Sequence, residues 1–188
     1  MSKFLVLAAL FSVNASAAVT GSSSLSIFPD WGSLGFLDIR EENDLFLGNY
    51  SYDSTGIFRL EKRTHGLKGY ADNGFVDITC TAGKCTGVVG SDTINIRYTL
   101  NGDVLELEGA LNHVYVKATF SSNEIEIYAD GAMNLKLQSN GTFEGRGTLN
   151  RDPRSGFHGS LSVNGSLVSR LTDPAFVITA WVSPFVRD

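Results

Sequence analysis

The chain has 188 residues, with 15 Lys and Arg against 20 Asp and Glu and a formal net charge of −5. Its length suits one domain with a substantial core. A mildly acidic chain with scattered charges has no electrostatic reason to seek nucleic acid or an anionic membrane surface.

Residues 1–17 read as an export signal. Lys3 gives a short basic start, Phe4 to Val13 is apolar, and Ala15-Ser16-Ala17 is a small-residue cleavage pattern. The apolar run is too short to span a bilayer. The mature chain is expected to begin near Ala18 and to form one antiparallel β domain over residues 18–188, periplasmic or secreted and of bacterial type. The residue immediately after the cleavage site is Ala18 rather than a cysteine, so no lipid anchor is expected.

Ala18 to Ser24 is small and polar, which predicts a flexible leader. Leu25 to Phe28, Leu34 to Glu41, Asp44 to Tyr52 and Ile57 to Glu61 read as strands, separated by turn residues such as Trp31-Gly32-Ser33 and Asp53 to Gly56. Lys62 to Lys68 is the most basic cluster; it is too short for a nucleic-acid stripe and reads as a solvated strand end. Phe75 to Cys80 is the next strand. Cys80 and Cys85 flank Ala82-Gly83, a spacing that places them opposite each other in a hairpin, and export favours a disulfide between them.

Asp92 to Leu149 is a continuous meander. Apolar and polar residues alternate with period two, and the breaks include Asn101-Gly102, Asp130-Gly131 and Asn140-Gly141, pairs suited to tight turns with positive φ. Gly109, Gly145, Gly147 and Gly159 fall inside strands, where curvature or close packing excludes a side chain. Asn150 to Gly156 reads as a long loop and Phe157 to Val163 as a further strand. Phe176 to Val182 is apolar on nearly both faces and predicts a closing strand covered on both sides, with an exposed edge for a partner as the alternative. No stretch after the signal reads as a helix.

The fold class expected is therefore all-β: an antiparallel meander of roughly a dozen short strands, closed as a barrel or folded as a two-sheet sandwich. An outer-membrane barrel is the minor alternative, opposed by short strands, short turns at both ends and a chain end without a terminal aromatic.

Little in the chain points to chemistry. His65, His113 and His158 are far apart and carry no metal-ligand spacing, and neither metal nor cofactor is expected. Glu106 with Glu108, and Glu124 with Glu126, are carboxylate pairs on one strand face; a hydrolase could use them, although solvent-face alternation accounts for them too. The tyrosines lie largely on the polar face, where they suit a sugar- or peptide-binding surface or ordinary cross-strand packing. The leading expectation is a non-enzymatic barrel holding an apolar or amphipathic, lipid-like small ligand against Leu105, Leu107, Val114, Val116, Ile125, Ile127, Leu135, Leu137 and Phe143. The alternative is an envelope or surface interaction protein that uses its Tyr-rich face or its C-terminal strand.

Overall fold

The computed structural model describes residues 18–29, 35–51, 55–71, 74–149 and 152–185. The expected signal sequence and the Trp31-Gly32-Ser33 turn lie outside these residues.

Alternation of apolar and polar residues produces fourteen strands: β1 (Val19–Pro29), β2 (Gly35–Glu42), β3 (Leu45–Ser51), β4 (Thr55–Arg63), β5 (Gly66–Ala71), β6 (Gly74–Thr81) and β7 (Lys84–Val89), then β8 (Asp92–Asn101), β9 (Val104–Leu111), β10 (Val114–Phe120), β11 (Glu124–Ala129), β12 (Gly131–Leu137), β13 (Thr142–Leu149) and β14 (Asp152–Gly165). Each pairs antiparallel with its neighbours in sequence, and β14 returns to β1, so the sheet closes as a barrel rather than dividing into a sandwich. On β9, Leu105 and Leu107 point inward and are buried while Glu106 and Glu108 face outward, and the other strands follow the same rule. Among the described residues the barrel is apolar inside apart from Glu41 and a few buried hydroxyls, and it carries most of its charges outside.

The hairpin that carries the cysteines is as expected. Ala82 and Gly83 both have positive φ, as a type I′ turn requires, and bring Cys80 opposite Cys85, where they form a disulfide. The expected Asn-Gly and Asp-Gly turns differ: Asn101 ends β8 and the turn is Gly102-Asp103, Gly131 already belongs to β12, and in all three pairs only the glycine has positive φ. Inside the strands, a Cβ on Gly145 would strike the carbonyl oxygen of Asn134, and one on Gly109 that of Asn95. Bare backbone at these points lets neighbouring strands approach as the wall curves.

Three expectations are corrected. The predicted leader is strand: Val19 pairs with β2, and residues from Gly21 onward pair with both β2 and β14, because a closed barrel needs β1 to satisfy both edges. The predicted 150–156 loop is shorter, since β14 starts at Asp152 after a register shift at Leu149. The largest correction concerns the C-terminus, which is helical. A 3-10 segment, Ser166–Thr172, leads into α1 (Pro174–Val177), continued by a π-helical turn, Ile178–Val182, and a 3-10 turn, Ser183–Phe185.

The reason lies in barrel size. Side chains alone fill a barrel of about eight strands; fourteen leave a wider lumen that must be filled with something else. Ala175 to Val182 are all buried. Phe176 packs on Phe46 of β3 with ring centroids 4.7 Å apart, Trp181 packs on Phe120 of β10 at 5.9 Å, and Phe176 meets Trp181 edge-on at 5.1 Å. Since β3 and β10 stand on opposite sides of the closed strand order, this aromatic chain crosses the lumen. A helix that is apolar all round has to be buried, and here it becomes the barrel's plug.

Candidate functional site

The plug enters at the mouth that carries the β2–β3, β4–β5, β6–β7, β8–β9, β10–β11 and β12–β13 turns. A buried ionic cluster fastens it there. Glu41, near the end of β2, continues the inward row of Leu37 and Ile39 and is only 2% exposed. Its carboxylate pairs with Lys62 of β4, accepts a hydrogen bond from the Ser166 hydroxyl, and accepts another at 3.0 Å from Nη2 of Arg170. Burial alone would raise the Glu41 pKa, but the hydrogen bonds from Lys62, Ser166 and Arg170 outweigh it and hold the carboxyl below its ordinary value. Lys62 and Arg170 also lie over the Phe46 ring, 5.2 and 5.5 Å from its centroid. Arg170 reaches Asp173 at 3.3 Å, and Asp173 caps α1 by accepting from the Phe176 N–H. The basic cluster is therefore not simply a solvated strand end: its first member, Lys62, holds a buried carboxylate.

Beside this latch, between the 3-10 segment and the turns of β8–β9, β10–β11 and β12–β13, lies a cleft of about 520 Å³. Phe143, Val163 and Leu171 are buried beneath it, while Leu137 and Val168 border it at 40% and 51% exposure. Asp103, Ser122, Ser169 and Thr172 supply the polar lining. Ser122 donates to Asp103 Oδ2 at 2.8 Å, and Ser169 donates to the Ser166 carbonyl at 2.7 Å, so both hydroxyls are already oriented.

The residues proposed to line a ligand divide between lumen and mouth. Leu105, Leu107, Val116, Ile125, Ile127 and Leu135 are buried in the core shared with the plug, and Val114 is partly buried against it. Leu137 and Phe143 line the cleft. Val168 and Leu171 escaped sequence reasoning because the 3-10 segment was not recognised. The Leu167 and Leu171 pair, four apart and both buried, was the available signal.

The other candidates lie elsewhere. Glu106, Glu108, Glu124 and Glu126 are on the outer face, and one Asn134 amide nitrogen donates to both Glu124 and Glu126, at 2.9 and 2.8 Å. His65 is in the β4–β5 turn, His113 in the β9–β10 turn at the other mouth, and His158 on outer β14. Among the described residues no three His, Cys, Asp or Glu side chains converge to hold a metal ion, and no helix is long and apolar enough to cross a membrane. Trp181, the residue of the alternative exposed edge, is 1% exposed inside the barrel. Comparison with known protein families, curated proteins and solved structures finds no match.

Proposed function

We propose that the protein is an exported, non-catalytic binding protein that takes a small apolar or amphipathic ligand in the cleft at its plugged mouth. The observation that carries this reading is the pair of exposed aliphatic side chains, Leu137 and Val168, bordering a cleft whose buried side is Phe143, Val163 and Leu171. The volume falls in the range used by small-molecule sites, and apolar walls with a few oriented polar groups are their usual lining. Asp103 is the single charged side chain of that lining, so the ligand's polar end is neutral or cationic rather than anionic. Since the plug fills the lumen at the aromatic chain, the ligand belongs at the mouth.

Export is supported by the signal-like residues 1–17 and by the Cys80–Cys85 disulfide. The outward charges support a barrel that meets water, since a membrane barrel turns an apolar band outward. A hydrolase has less behind it: the paired carboxylates lie on the outer wall, away from the cleft.

The test is native mass spectrometry of the mature protein purified from its own exported fraction, together with titration of the neutral fluorescent probe N-phenyl-1-naphthylamine. A defined adduct lost on denaturation is expected, as is probe binding abolished by Leu137→Asp and Val168→Asp. A clean mass, lighter than the reduced chain only by the two hydrogens of the disulfide, together with no probe binding, would sink the proposal.

A further inference from the structure

A second hollow of about 440 Å³ lies on the outer wall across β7 to β10, sharing no lining residue with the cleft at the plugged mouth. Strand register explains it. Ala110 stands in one cross-strand row between Asn95 of β8 and Tyr115 of β10. A methyl group between two larger side chains leaves a depression with Ala110 as its floor. The adjacent row places Arg97 directly opposite Glu108, and His113 closes the end nearest the β9–β10 turn.

The chemistry of the walls is specific. Tyr115 is 58% exposed, yet its hydroxyl donates to Glu108 Oε1 at 3.0 Å, so the ring is tethered at its tip while much of its surface stays open. That hydrogen bond also holds the phenolic proton and pushes the Tyr115 pKa up. Around the ring stand a planar amide, a guanidinium, a carboxylate and an imidazole, a mixture of donors and acceptors. In its row Glu108 stands between Arg97 of β8 and Lys117 of β10, so a carboxylate breaks up the cations, and Lys84 lies at the edge opposite Arg97.

A nucleic acid would want cations with no carboxylate among them, and an acyl chain would want apolar walls, whereas here the small Ala110 floor is ringed by polar and charged groups. A hydroxyl-rich ring fits better: its C–H face can lie on the aromatic surface while its hydroxyls pair with the planar polar groups. The geometry points to this groove as a saccharide-binding site, with Tyr115 as the stacking platform and Asn95, Arg97 and Glu108 as hydroxyl partners. Tyr128, 49% exposed on β11 beside Lys117, lies one diagonal step from Tyr115 and offers a second platform, so an oligosaccharide fits better than a single sugar.

The experiment is titration of the mature protein with cello-, malto-, xylo- and chito-oligosaccharides, followed by calorimetry and by backbone amide shifts. At least one series should bind and shift the amides of Asn95, Ala110, His113 and Tyr115, with affinity nearly unchanged at high salt. Tyr115→Ala should weaken it roughly five- to tenfold, and Ala110→Leu, which fills the floor with an exposed side chain, should abolish it; both should melt like the parent. The inference is overturned if no series shifts those amides, if binding vanishes at high salt, or if either variant binds at full strength. Leu137→Asp and Val168→Asp should leave saccharide binding intact, which keeps this site separable from the mouth cleft.

Discussion

Glu41 shows how one residue ties separate parts of the chain together. A carboxylate 2% exposed is costly unless its charge is matched, and it is matched by Lys62 from β4 and by Ser166 and Arg170 from the plug's approach. Glu41→Gln should destabilise the fold by about 2 kcal/mol, below the usual cost of breaking a fully buried pair because Lys62 and Arg170 keep some access to water; urea denaturation measures it. The sign of the pH effect follows from the direction of the shift. The folded carboxyl titrates below its ordinary value of 4.5, so its contribution is complete above that value and is lost as pH falls through the lowered one. Melting temperature should drop over that acidic window in the parent and drop less in Glu41→Gln. The residue was visible in the sequence as a charged member of the alternating row Leu37, Ile39, Glu41. Its partners were not, because they come from β4 and from beyond β14.

At the scale of elements, the C-terminal segment decides the interior. Trp181 bridges Phe176 and Phe120 across the lumen, and its indole N–H is buried with no hydrogen-bond partner among the described residues. Two substitutions separate its volume from its polarity. Trp181→Ala should cost about 3–5 kcal/mol by opening a cavity, whereas Trp181→Phe should cost under about 1.5 kcal/mol, since it keeps an aromatic ring and removes an unpartnered donor. Chemical denaturation of both variants checks this; equal losses would mean that Trp181 is not acting by filling the lumen. The apolar run from Phe176 to Val182 was plain in the sequence, but a short run apolar on all sides suits a covered strand and a buried helix equally. Only the width of the barrel separates them.

At the scale of the molecule, closure is the dominant fact. β1 pairs with β14 from Gly21↔Gly165 to Pro29↔Phe157, joining the first and last strands and leaving no free edge in the sheet. Deleting residues 18–29 would expose the edges of β2 and β14 together, and unpaired edges recruit other chains. The truncated protein should form concentration-dependent oligomers or aggregates, whereas the chain from residue 18 onward should run as a monomer without detergent; size-exclusion chromatography with light scattering distinguishes the two.

The strands of the meander, their inward and outward faces and the Cys80–Cys85 pairing follow from the sequence by itself, because period-two alternation and hairpin spacing are local properties of the chain; the start of β1 and the C-terminal helix do not. Barrel closure, the plug, the Glu41 latch and the cleft at the mouth were decided only in three dimensions. Each depends on residues far apart in sequence, and on how much space a sheet of that size encloses once β1 meets β14.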